Sequence, residues 1–94
     1  MQPAVYIMSN RKNGALYIGE TSNLKRRVWE HHQGPVEGLS KRYGLDRLVY
    51  FGLHPTMALA IQRKKQLKTW KRAWKIKLIQ KENPNWNDPF HLLA

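Results

Sequence analysis

The sequence predicts a small α/β domain, a three-stranded sheet covered by helices. Three observations predict it. Two short β-prone runs near the N-terminus, Val5-Tyr6-Ile7 and Leu16-Tyr17-Ile18-Gly19, flank a polar stretch from Ser9 to Gly14 that ends in an Asn-Gly dipeptide. That arrangement is a hairpin signature. A third β-branched and aromatic run spans Arg47 to Leu53, too far along the chain for a tight turn, so a helical crossover is expected before it. Beyond Pro55, apolar residues from Ala58 to Ile79 recur roughly on a helical period.

Taken in order, residues 3–9 and 15–20 form the hairpin strands, and antiparallel pairing brings Tyr6 and Tyr17 close together. Thr21, Ser22 and Asn23 are N-cap candidates for a helix from Leu24 to His32 with Leu24 and Val28 as its apolar stripe. Arg27 and His31, at i and i+4, share a face of it. Gly34-Pro35 ends that helix, and Val36 to Tyr43 reads as a second short helix closed by Gly44. Thr56 is the N-cap of the long helical region, whose periodicity fits either one helix or two with a bend near Lys68-Thr69. Trp70 and Trp74 lie at helical spacing and read as core. Asn83-Pro84 stops the helix, and the turn-like tail carries Trp86 and Phe90, two aromatics that predict docking onto the body. His54 and His91 read as structural. With no internal repeat and no low-complexity linker, residues 1–94 read as a single domain.

Composition narrows the partner. Seventeen basic against six acidic residues give a net charge of +11, which favours a polyanion such as DNA, RNA or an acidic surface. No apolar run approaches the ~20 residues that span a bilayer, and Met1-Gln2-Pro3-Ala4 lacks the features of a signal peptide. The absence of cysteine excludes disulfides and thiolate metal sites and fits a reducing cytoplasm. Lysines and arginines crowd the long helical segment, so Arg63, Lys65 and Lys68, with Arg26 on the first helix, are candidates for tracking a nucleic-acid backbone. No zinc finger or helix-turn-helix is visible, so binding is expected to follow the backbone or the structure of DNA. Oligomeric state is open.

The residues resemble the GIY-YIG family of nucleases, in its small single-domain branch. Val5-Tyr6-Ile7 stands where the family has Gly-Ile-Tyr, with the tyrosine in register, and Tyr17-Ile18-Gly19 is the second motif intact. Thr21-Ser22-Asn23-Leu24 with Arg26-Arg27 and His31 looks like the family's arginine helix, and Asn83-Pro84-Asn85-Trp86 like its ending. The resemblance implies a three-stranded antiparallel sheet flanked by helices and metal-dependent hydrolysis of DNA phosphodiesters, with Mg²⁺ or Mn²⁺ at a single-cation site. It implies catalytic roles for Tyr6, Tyr17, Arg27, His31 and Asn83. A phenol of Tyr6 or Tyr17 would orient or deprotonate water, and with a free pKa of about 10 it needs a cation nearby. Arg27 would hold phosphate through its fork, His31 would polarise a tyrosine or relay a proton, and Asn83 would hold phosphate or position a side chain.

One position departs from the family. Its metal-binding glutamate lies in a segment that commonly reads Ala-Ile-x-Arg-Glu-Lys-Gln; here the segment is Ala60-Ile61-Gln62-Arg63-Lys64-Lys65-Gln66. Lys64 occupies the glutamate position, and an ammonium cannot ligate Mg²⁺. Glu20 and Glu82 are the nearest acidic residues in motif terms, and neither stands at the family position. The expectation is therefore an endonuclease domain that is impaired or inactive, with a non-catalytic basic nucleic-acid-binding module as the alternative. A small basic protein bound to an acidic protein partner is a third reading.

Overall fold

All six residues of strand β1, Ala4–Ser9, are buried. A strand with no wet face must be the middle of a sheet covered on both sides. The computed structural model, which describes residues 2–33 and 44–88, shows that arrangement. Strands β2 (Leu16–Thr21) and β3 (Arg47–Leu53) flank β1 in the order β2-β1-β3, both antiparallel to it. Helix α1 (Leu24–Gln33) follows β2, and α2 (Met57–Thr69) and α3 (Arg72–Glu82) follow β3. The α/β class and the antiparallel three-stranded sheet are those expected. The short helix expected over Val36–Tyr43 and its Gly34-Pro35 stop lie outside the described residues. No helix among the described residues is long and apolar enough to cross a membrane.

Alternation along β1 divides the core in two. Tyr6 and Met8 pack with Leu24, Val28, Leu45 and Leu48 on the α1 side. Val5 and Ile7 pack with Ile18, Val49, Leu67, Ile79 and Trp86 on the other. The pairing of β1 with β3 slips between Ile7 and Met8 in a bulge at Val49, and Leu48 and Val49 are buried in the two opposite cores.

The predicted punctuation is real in detail. In the hairpin loop Asn13 takes the left-handed conformation (φ 58°), while the Gly14 amide bonds the Arg11 carbonyl at 2.9 Å. A Cβ on Gly14 would lie 2.0 Å from Asn10 Oδ1, the oxygen that accepts from the Ala15 amide at 3.0 Å. Asn23 is the cap of α1, its side chain accepting from the Arg26 amide at 3.1 Å. Thr56 caps α2 through the Leu59 amide at 3.2 Å. The long helical region is two helices, separated by extended backbone at Trp70 and Lys71.

That break corrects one expectation. In an unbroken helix Trp70 and Trp74 would share the buried face. Because α3 restarts on a new axis, Trp70 remains packed on the core whereas Trp74 is 51% exposed.

The end of α3 is fastened to β3 by Asn83. Its amide nitrogen donates to the carbonyls of Val49 (3.0 Å) and Asn87 (2.9 Å), and its oxygen accepts from the Asn87 amide (3.0 Å). The clamp folds the tail back so that Trp86 is fully buried, held by Arg47 on its carbonyl at 3.2 Å. Asp88 then reaches His32 of α1 at 2.6 Å. The expected docking of the tail is realised by Trp86; Phe90 lies outside the described residues. Because Asn83→Ala deletes three hydrogen bonds and strands the Val49 carbonyl in the core, it is expected to cost about 2 kcal/mol in urea unfolding.

Candidate active site

The site begins with an aromatic ring crossing a glycine. Tyr6 and Gly19 are paired residues of β1 and β2. A Cβ on Gly19 would lie 2.6 Å from the Tyr6 hydroxyl and 3.1 Å from the Tyr17 ring. The glycine of the second motif therefore provides the space in which the Tyr6 phenol lies over the strand. Tyr17, two residues earlier, shares that face, and the two ring centroids are 6.3 Å apart. From α1, His31 completes a triangle of rings, 5.9 Å from Tyr6 and 5.8 Å from Tyr17. Arg27, one turn earlier, is part exposed and has Nε 3.4 Å from Glu30 Oε1.

Burial sets the electrostatics. Tyr6 is fully buried, and its hydroxyl has no partner with hydrogen-bond geometry among the described residues. Burial, reinforced by Tyr17, pushes its pKa well above the ordinary phenol value, and the nearby Arg27 guanidinium offsets this only in part. Tyr6 therefore stays protonated. The His31 pKa is lowered, first by burial and then by Arg27, against a smaller raising effect from a hydrogen bond with the Leu45 backbone. Burial and Arg27 both favour the neutral imidazole.

Outside the rings, the N-terminus of α1 forms an open cleft of about 420 Å³ lined by Thr21, Ser22, Asn23, Arg26, Arg27 and Glu30. A helix N-terminus with two guanidiniums at its mouth suits a phosphate. Arg26 is the more exposed of the two, with Glu30 3.9 Å away.

Lys64 has a definite structural partner. On α2, Ala60, Lys64 and Leu67 lie at i, i+4 and i+7 on the stripe that faces the sheet, and Ala60 and Leu67 are buried. On β2, alternation places Glu20 on the same side as Ile18. Lys64 Nζ and Glu20 Oε2 meet at 2.7 Å, both side chains less than a quarter exposed. β2 is an edge strand, and the Glu20 charge is felt around that edge, where it slightly raises the Tyr6 phenol. A divalent cation does not fit these donors: an ammonium holds the Glu20 carboxylate, and the described residues contain no group of three acidic, histidine or cysteine side chains able to hold a metal.

Tyr6, Tyr17, Arg27 and His31 thus come together, while the side chain of Asn83 is bonded to Val49 and Asn87. Its amide is consumed by Val49 on β3, the edge strand farthest from β2, and by the tail. Lys65 and Lys68 are exposed on α2, while Arg63 lies over the Trp70 ring at 4.9 Å. Glu82 is exposed at the C-terminal end of α3, on the helix that packs against β3. The Glu20–Lys64 pair was missed because its members are far apart in sequence; the period-2 step from Ile18 to Glu20 and the i+4 step from Ala60 to Lys64 carried the signal.

Known proteins bear on this arrangement. The family model described as the GIY-YIG catalytic domain matches residues 2–77. The UPF0213 protein of Staphylococcus saprophyticus is 32% identical over 68 residues, 72% of this chain and 83% of that protein. The UPF0213 protein of Staphylococcus epidermidis is 33% identical over 76 residues, 81% of this chain and 92% of that protein. The solution NMR structure of the UPF0213 protein BH0048 from Bacillus halodurans matches the fold with a TM-score of 0.57 at 26% identity, over 94% of this chain and 93% of that one. With both tyrosine motifs paired across the hairpin and the family model running from β1 into α3, this chain belongs to the GIY-YIG family, a nuclease-type family.

Proposed function

We propose that this chain is a single-domain GIY-YIG protein that engages DNA through its phosphate backbone, with metal-dependent phosphodiester hydrolysis impaired by Lys64. The 2.7 Å contact between Lys64 and Glu20 carries this reading. A divalent ion held by one carboxylate leaves a net positive charge to stabilise a phosphate, whereas an ammonium paired with a carboxylate sums to zero. Transition-state stabilisation of phosphoryl chemistry is largely electrostatic, so a neutral pair supports binding better than turnover.

The remaining residues fit phosphate handling. Arg27 and Arg26 at the α1 N-terminus hold the phosphodiester. Tyr17, the less buried phenol, orients a water, and neutral His31 accepts a proton from it. Tyr6 stays protonated and fixes the ring cluster over Gly19. Asn83 has the structural role described above. The alternative, a non-catalytic nucleic-acid-binding module, is favoured by the same ion pair and separates from the impaired nuclease in one experiment.

That experiment compares nicking of supercoiled plasmid and of a branched duplex by this chain and by Lys64→Glu, with Mg²⁺ or Mn²⁺. The chain itself is expected to nick weakly or not at all, and Lys64→Glu to nick in a metal-dependent way. The variant juxtaposes two carboxylates, so its melting temperature should rise on adding Mn²⁺ while that of the parent does not. If the variant binds Mn²⁺ and DNA yet neither protein cuts, the nuclease reading is wrong and the binding module stands.

A pH profile tests the neutral imidazole. The His31 pKa is lower in the folded chain than the ordinary 6.5, so on acidification the unfolded chain takes up the proton first. Its contribution is full above pH 6.5 and is lost as pH falls from there toward the folded value. Urea unfolding from pH 8 to pH 5 should show stability of the parent falling below about 6.5 more steeply than that of His31→Phe.

A further inference from the structure

The flank of α2 beside its sheet-facing stripe carries a different chemistry from the β2 edge. Leu59, Arg63 and Gln66 lie at i, i+4 and i+7 along that flank, and Trp70, the C-cap residue partly packed on the core, stands at its end. Leu59 is exposed, and with His54, Gln62, Arg63 and Gln66 it lines a cleft of about 290 Å³. Arg63 leaves that cleft to lie over the Trp70 ring at 4.9 Å and donates to the Gln66 side-chain carbonyl. Trp74 meets Trp70 edge to face at 6.1 Å. Half of Trp74 is open to solvent, and the ammonium of Lys71 lies 5.8 Å from its ring centroid. The track therefore runs from an apolar cleft rimmed by amides, past a guanidinium plane, to two indoles.

The charged residues of the segment that builds this track are all basic. No aspartate or glutamate occurs between Asp46 and Glu82. A large exposed indole among basic residues contributes little to the fold, and its π-face suits a planar partner that brings negative charge with it. Duplex DNA presents phosphates but keeps its bases stacked inside. Single-stranded nucleic acid presents both, and aromatic platforms on a cationic groove are how such strands are held without sequence preference.

We infer that this flank of α2 and the start of α3 form a binding track for single-stranded nucleic acid, with Trp74 as the stacking platform. Arg63 and Lys71 balance the phosphates, and the Gln62 and Gln66 amides meet base edges in the cleft beside Leu59. The track is separate from the Tyr6–Tyr17–His31 cluster and does not depend on whether that cluster hydrolyses anything.

The test is fluorescence anisotropy on the full chain, without metal, using a labelled oligothymidylate of about 12 nucleotides and a duplex of equal charge. The single strand is expected to bind more tightly than the duplex. Trp74→Ala should weaken single-strand binding roughly tenfold, as for the loss of one stacked base, and change duplex binding less than about twofold. Trp74→Phe should recover most of the loss, and both variants should melt within a few degrees of the parent because the indole is exposed. Equal losses on single strand and duplex, or no loss on either, would overturn the proposal. So would competition by poly-glutamate as effective as that by the oligonucleotide, since the surface would then be only a cationic patch.

Discussion

The central strand has no side that faces water, and the rest of the molecule follows from that constraint. Burying both faces of Ala4–Ser9 requires a layer on each. α1 supplies one with Leu24 and Val28; α2, α3 and the returning tail supply the other with Leu67, Ile79 and Trp86. A tyrosine in such a strand must place a phenol inside the protein. Tyr6 does so only because its partner on β2 is Gly19, whose missing side chain leaves room for the hydroxyl. The same packing moves the Tyr6 phenol and the His31 imidazole toward their neutral forms. Thus one burial requirement fixes both the geometry of the ring cluster and its protonation.

The edge strand β2 contributes to both layers. Its residues alternate between them: Tyr17 and Gly19 face the α1 side, Ile18 and Glu20 the α2 side. An inward-facing position on α2 therefore lands beside Glu20, and the residue type at that position decides the local charge. A carboxylate there would leave two negative groups to be bridged by a cation. The ammonium of Lys64 neutralises Glu20 directly and removes the demand. Desolvated to less than a quarter exposure, the pair is screened far less than the surface pairs of Arg26 and Arg27 with Glu30.

Much of this was legible in the chain because it depends on local rules. The hairpin, the cap at Thr56, the i,i+4 relation of Arg27 to His31 and the in-register tyrosines all follow from short-range geometry, and the ring triangle assembles as those features imply. What escaped was set by tertiary packing. The break at Trp70-Lys71 turns Trp74 outward, although its spacing from Trp70 suits a buried stripe. Asn83 carries the family's residue type, but its amide satisfies the Val49 carbonyl and the tail, a demand visible only once α3 lies against β3. The Glu20–Lys64 contact joins two residues whose facing directions were readable separately and whose meeting required the layer arrangement.

Lys64 and Glu20 meet at 2.7 Å at the β2 edge, and the proposed function rests on their being energetically coupled. A double-mutant cycle in urea unfolding tests it most directly, with Glu20→Gln, Lys64→Met and the two combined. A coupling energy of about 1–3 kcal/mol, nearly unchanged in high salt, is predicted for a close and largely desolvated pair. Additive single-variant effects, with coupling near zero, would mean that the lysine and the glutamate do not recognise each other, and the account of the impaired site would fall.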